Sequence, residues 1–150
     1  MYEQKIKYVP TIMKTWPTRY FAGLSPSMKA TRKKELLKRR RVPYSKLRLG
    51  KSDVGATKRK SHWTLQFHRM YPGLKFNKAL ISKKTGISKS SLNTVYDRGL
   101  KAWKTGGSRP GVTASQWAIA RVYKFILVSK KKAPKSWYAT RPDPDQNLRR

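Results

Sequence analysis

An all-α fold is predicted, on three observations. Apolar residues recur at helical spacing in successive segments after Ser61. Residues that start helices stand at Ser25–Pro26, Asn77, Ser88 and Thr113. No stretch alternates apolar and polar residues convincingly, and there is no internal repeat. The expected architecture is a small helical domain over about residues 61–129 containing a helix-turn-helix-like hairpin. A basic N-terminal helix precedes it, and extended N- and C-terminal arms flank it.

Residues 1–24 read as an extended aromatic arm. Pro10 and Pro17 each push the preceding residue toward extended geometry. Tyr2, Tyr8, Trp16, Tyr20 and Phe21 recur along it and need a surface to lie on. Residues 25–60 form a basic helix and linker. Ser25 is the N-cap and Pro26 the first helical residue. Pro43, Gly50 and Gly55 then mark a linker.

The helical core opens on "SHWTLQFHRMYPG", with Trp63, Phe67, Met70 and Tyr71 at helical spacing and Pro72–Gly73 as the stop. A short helix follows from about Asn77 to Lys84, and Gly86 suits the left-handed turn position. Ser88 caps the next helix, whose apolar stripe is Leu92, Val95, Tyr96, Leu100 and Trp103. After the loop "TGGSRPG", Thr113 and Gln116 form a capping box for an apolar helix over about 114–129. Residues 130–150 are a basic tail with three prolines.

Charge is the dominant feature of composition. Lys and Arg number 37 against six acids, a formal net charge of +31. A compact chain of that charge repels itself unless an anion relieves it. Nucleic acid, an anionic membrane surface and acidic protein are the candidates, and nucleic acid carries the densest charge. Like charges at helical i, i+4 spacing, such as Lys34 and Lys38, destabilise an isolated helix until an anionic neighbour arrives. The expected anion-binding residues are Lys29, Arg32, Lys33, Lys34, Lys38, Arg39, Arg40, Arg41, Lys58, Arg59 and Lys60.

The segment "NKALISKKTGISKSSLNTVYDRG" has helix-turn-helix spacing, with Ser82 as the small residue, Gly86 at the turn and Ile81, Ile87, Leu92 and Val95 as the lock. A sequence reader would turn Lys89, Ser90, Asn93 and Thr94 to the groove. That face has one cation, and its apolar stripe runs well past the length a recognition helix needs. The expectation is therefore a packing hairpin docked on the Trp117–Val128 helix.

Catalysis is not expected. Asp143 and Asp145 are the only acids close in sequence, and they lie in a proline-broken tail. His62 and His68 fall about 120° apart around a helix and do not converge on a metal. Asp97 with Arg98 is a candidate structural pair. The chain has no Cys, which excludes disulfides and Cys-based zinc sites. The loop "GGSRPG" lacks the Lys-Ser/Thr of a phosphate loop. No cofactor, metal or small-molecule substrate is expected. The N-terminus lacks the apolar core of a signal peptide, so the chain is expected to stay where it is made or to enter the nucleus.

The stretch "VYDRGLKAWKTGGSRPGVTASQWAIARVYKFI", with "RYFAGLS" ahead of a Lys/Arg-rich helix, resembles small basic proteins of unknown function from nucleocytoplasmic large DNA viruses, including chloroviruses. The likeness is specific at Tyr96–Trp103 and Arg109–Phe125, and Asp143, Asp145 and Leu148 match that family's ending loosely. The resemblance implies a viral origin and a virion role, with no catalytic residues to carry over.

The expected function is that of a minor capsid protein on the inner side of a shell, assembled in the host cytoplasm or nucleus. Its arms would staple other capsid proteins through Tyr8, Trp16, Tyr20, Phe21, Trp137 and Tyr138. Its basic block would face genomic DNA, without sequence preference, or an internal membrane. The alternative is a non-specific DNA-binding protein that condenses the packaged genome. A helix-turn-helix regulator comes last.

Overall fold

Five α-helices form among the described residues, and a side chain closes the first turn of each. They are α1 (Pro26–Arg39), α2 (His62–Met70), α3 (Lys78–Thr85), α4 (Lys89–Gly106) and α5 (Ala114–Ser129). The computed structural model describes residues 16–56 and 60–149. The chain is all-helical, with short 3-10 turns before, between and after the helices, the first at Thr18–Phe21 in the segment expected to be extended, and no strand among the described residues.

The caps answer the unpaired N–H groups of each first turn. Ser25 Oγ accepts from the Met28 N–H, Ser61 Oγ from Thr64, Asn77 Oδ1 from Leu80, and Ser88 Oγ from Ser91. Thr113 and Gln116 bond reciprocally at 3.1 and 2.9 Å, the expected capping box. Gly86 ends α3 at φ 78°, a conformation that costs a glycine little and a Cβ-bearing residue more.

The core lies between α4 and α5, with α2 packed on α5 and α3 on α4. Phe67, Ile81, Ile87, Leu92, Val95, Val122, Tyr123, Phe125, Ile126 and Leu127 form one buried cluster. Phe67 and Tyr123 stack at 4.0 Å between ring centroids. The α3–α4 hairpin is thus locked onto α5, as the length of its apolar stripe predicted. The stripe itself needs one correction. Tyr96 and Leu100 are only half-buried, and the buried residue beside Leu100 is Gly99. A Cβ on Gly99 would lie 2.6 Å from the Ala118 Cα, so the absence of a side chain sets how closely α4 and α5 approach. In the same way Ser82 is only half-buried, and Thr85 is the small buried residue at the end of α3.

The segment expected as a linker outside the core is part of the fold. α1 packs on α4 and on the turn Lys51–Asp53, held by a buried ion pair. Arg32 is fully buried. Its Nε donates to the Tyr20 carbonyl at 3.0 Å, one terminal nitrogen donates to Ser52 Oγ and Asp53 Oδ1, and the other donates to the Ser108 carbonyl. Asp53 also accepts the N–H groups of Gly50 and Gly111. Beside it, Glu35 accepts from the backbone of Lys51 and Ser52 and from the Ser52 hydroxyl.

The C-terminal tail, expected to be extended, also docks. Asp145 is fully buried and pairs with Arg98 at 2.9 Å and Arg121 at 2.8 Å. Arg98 therefore pairs across the fold and not with its neighbour Asp97. Gln146 donates to the Phe125 carbonyl and Ser129 Oγ, and Leu148 packs on the core cluster.

Two substitutions test this account. Gly99→Ala gains about 1 kcal/mol of helix propensity but forces α4 off α5, and overpacking typically costs ~1–3 kcal/mol. Urea denaturation should show net destabilisation, and a stabilised variant would refute the close approach. Arg32→Met leaves Asp53 buried without its hydrogen-bonded partner, with only Arg39 at 3.9 Å, which should cost ~3–5 kcal/mol, whereas Lys33→Ala should stay within about 0.5 kcal/mol of wild type. Equal effects at the two positions would show that Arg32 is not buried.

Candidate nucleic-acid interface

The inner face of α1 is fixed by Arg32, Leu36 and Arg39, which follow one another at helical spacing and are buried. That placement corrects two of the expected anion contacts. Arg32 holds Asp53, as above. Arg39 lies 3.6 Å from the Trp103 ring centroid, donates to Ser108 Oγ at 2.9 Å and sits 3.9 Å from Asp53 Oδ2. Burial, and then the positive charge of Arg32, push the Arg39 pKa down to about 10. Both guanidiniums are buried and occupied by partners within the chain.

The same arithmetic of faces turns the other cations outward. Lys29, Lys33, Lys34, Lys38, Arg40 and Arg41 are exposed, as is Lys60. Arg40 is partly engaged: its Nε donates to the Thr105 carbonyl, and its guanidinium lies 5.6 Å from the Trp16 ring centroid. Lys58, Arg59 and Tyr8 lie outside the described residues. Sequence reasoning named Lys89 on the hairpin but missed Lys83 and Lys84, and the three are exposed together around the three-residue turn. The exposed lysines in the last turn of α3 were the available signal.

The hairpin offers little for reading bases. Lys89 and Ser90 are exposed, but Asn93 and Thr94 are half-buried. The Thr94 hydroxyl donates to the Ser90 carbonyl of its own helix at 3.1 Å.

The expected partner-binding aromatics also fold inward. Tyr20 is buried in its own chain, edge to face with Trp117 at 6.2 Å. Trp16 and Tyr20 both cover Gly107, where a Cβ would meet each ring at 3.1 Å. Phe21 is half-buried and lies edge to face with Trp16. Trp137 and Tyr138 are half-buried, and Trp137 packs edge-on against Trp63.

The fate of the carboxylates decides the electrostatics. Asp53, Asp143 and Asp145 are buried, and Glu35 is half-buried and occupied by backbone N–H groups. Asp97 is the one exposed side-chain carboxylate among the described residues, which leaves the surface cations almost without local neutralisation.

Two of the buried acids have opposite pH behaviour. Burial alone would raise Asp145, but bonds from Arg121 and Arg98 outweigh it and hold the carboxyl below its ordinary value. The stabilisation from Asp145 is then complete above the unfolded pKa of about 3.9 and is lost as pH falls through the lower folded value. Burial raises the Asp143 pKa, against a hydrogen bond from Gln146, and Asp143 Oδ1 has no partner among the described residues. Ionising Asp143 therefore opposes folding as pH rises through its raised value. Asp145→Asn should be less stable than wild type at neutral pH, with the gap in Tm closing below about pH 4. A gap that is constant with pH would mean that the carboxylate is unpaired.

Neither a curated protein nor a solved structure matches the chain. The model of a family of unknown function (DUF5824) matches residues 17–149, from the end of the aromatic arm through the docked tail. That span takes in α1, the hairpin, α5 and the Asp145 clasp, and the chain belongs to the DUF5824 family.

Proposed function

We propose that the protein binds nucleic acid through its phosphates and does not read sequence. The observation that carries this reading is the segregation of charge: every side-chain carboxylate among the described residues except Asp97 is folded inside or bonded to backbone, while the lysines of α1 and of the hairpin turn face solvent. Phosphate contact removes the repulsion this creates and releases counterions. Protein–DNA specificity needs side chains free to bond base edges, and the hairpin presents few. A lipid surface fits less well, because a membrane-lying helix buries a broad apolar face. Leu37 is the one large apolar residue exposed on α1.

The shell-stapling role rested on arms free to reach neighbours. The described part of the N-terminal arm and the C-terminal tail pack on their own chain, which favours the DNA-condensing alternative. In the virion that the viral resemblance implies, the phosphates would be those of the packaged genome.

The test is the salt dependence of duplex binding. With ~6–10 phosphates neutralised, affinity should fall ~10³–10⁵-fold between 50 and 200 mM salt. Replacing Lys33, Lys34 and Lys38 together by Ala should lower the log–log slope by roughly 2–3. Arg39 is left out of that set because it is buried. An unchanged slope would remove α1 from the interface, and a motif enriched by binding-site selection would overturn sequence-independent binding.

A further inference from the structure

Three aromatic rings meet at the start of α2. His62 lies 5.1 Å from Trp63 and 4.6 Å from Trp137, and the two indoles are 5.2 Å apart at 89°. Trp137 arrives from the tail, on the turn Lys135–Trp137. Part of this cluster is structural, since Trp63 packs against the core. The rest is not covered: His62 is exposed, and both indoles are partly exposed.

Cations frame the rings. Lys124 Nζ lies 5.6 Å from the Trp63 ring centroid. Burial, then the charges of Lys124 and Arg109, lower the His62 pKa from its ordinary value, which favours the uncharged ring. Among the described residues, neither Lys124 nor Arg109 forms an ion pair. Asp143 feels the charge of Lys124 but is bonded to Gln146. Arg109 also lines an open cavity of about 260 Å³, together with Arg19, Gly23 and Gly55.

Aromatic faces beside unpaired cations are the two elements that bind single strands. Bases stack on the rings, the backbone tracks the charge, and a paired base in a duplex cannot stack in this way. We propose that the His62–Trp63–Trp137 cluster is a stacking site for unpaired nucleobases, with Lys124, Arg109 and Arg19 holding the adjoining phosphates. This rests on the phosphate-binding reading and specifies the form of nucleic acid that the chain prefers. It also accounts for the docking of a basic tail beside a basic surface. The tail brings Trp137 to the cluster, and the Asp145 clasp holds the tail there.

The experiment compares three ligands on the full chain at one fixed salt concentration. They are an oligothymidine of about 20 nucleotides, longer than a single-strand site of ~4–16 nucleotides, an abasic strand of equal length, and a matched duplex. Wild type should bind oligothymidine at least ~5-fold more tightly than the abasic strand, the lower end of one base stacked on an aromatic ring. His62→Ala and Trp137→Ala should each weaken oligothymidine binding ~5–150-fold and leave the abasic strand and duplex unchanged. Trp137→Phe, which keeps a ring, should retain most of the preference. His62 is exposed and touches the tail only through the Trp137 ring, while the Asp145 pairs that clasp the tail are untouched by its variant; thermal melts check both alanine variants. Equal binding of oligothymidine and abasic strand by wild type would overturn the proposal. So would a loss shared by all three ligands, which would mean that Trp137 only clamps the tail. If wild type binds none of the three, the phosphate-binding reading fails as well.

Discussion

The Arg32–Asp53 pair is the constraint on which the rest of the structure depends. It joins four parts of the chain that are distant in sequence: the arm at Tyr20, α1 itself, the turn at Ser52–Asp53 and the α4–α5 loop at Ser108 and Gly111. A charge in a low-dielectric interior is tolerated only when paired and hydrogen-bonded. Each of those partners must therefore stay in place for the guanidinium to stay buried. The Leu36 side chain fills the same face, so α1 is seated by apolar contact and fixed in register by the ion pair.

The same constraint shapes the surface. Once Asp53 is turned toward Arg32, and Glu35 toward the backbone of Lys51 and Ser52, α1 has no carboxylate left facing solvent. The cations on its other sides then stand beside one another with little to offset them. At the opposite end of the chain the Asp145 clasp repeats the arrangement, drawing a carboxylate inward while Lys130, Lys131, Lys132 and Lys135 stay exposed. The fold stabilises itself with nearly all of its negative charge, and the self-repulsion left outside is what a polyanion would relieve.

The helix-turn-helix hairpin shows how one local geometry serves packing without serving readout. Its turn is the expected one, with Gly86 left-handed and Thr85 bonded back to Ile81. α4 then continues through Gly99 to Trp103, whose indole N–H is taken by the Val112 carbonyl. A helix pinned along that length by Ala118 on one side and Arg39 on another is a structural strut. What it presents at the turn is charge, from Lys83, Lys84 and Lys89, with few groups free to bond bases.

Local chemistry was legible in the sequence. The caps at Ser25, Asn77, Ser88 and Thr113, the left-handed Gly86 and the core residues Ile81, Ile87, Leu92 and Val95 follow from side-chain hydrogen bonding and helical periodicity within a few residues. Long-range polar partners were not legible. Arg32 and Arg39 look like Lys33 and Lys34 in a charge run, and only partners far along the chain distinguish them, Asp53 for Arg32 and Trp103 with Ser108 for Arg39. Gly99 reads as a weak point in a helix until Ala118 is seen against it. The tail reads as free because its prolines exclude regular structure, yet Asp145 finds Arg98 and Arg121 on two different helices. Periodicity determines which face of a helix is apolar. Which charges are buried depends on partners that only the folded chain brings together, because a buried charge is stable only beside its counter-charge.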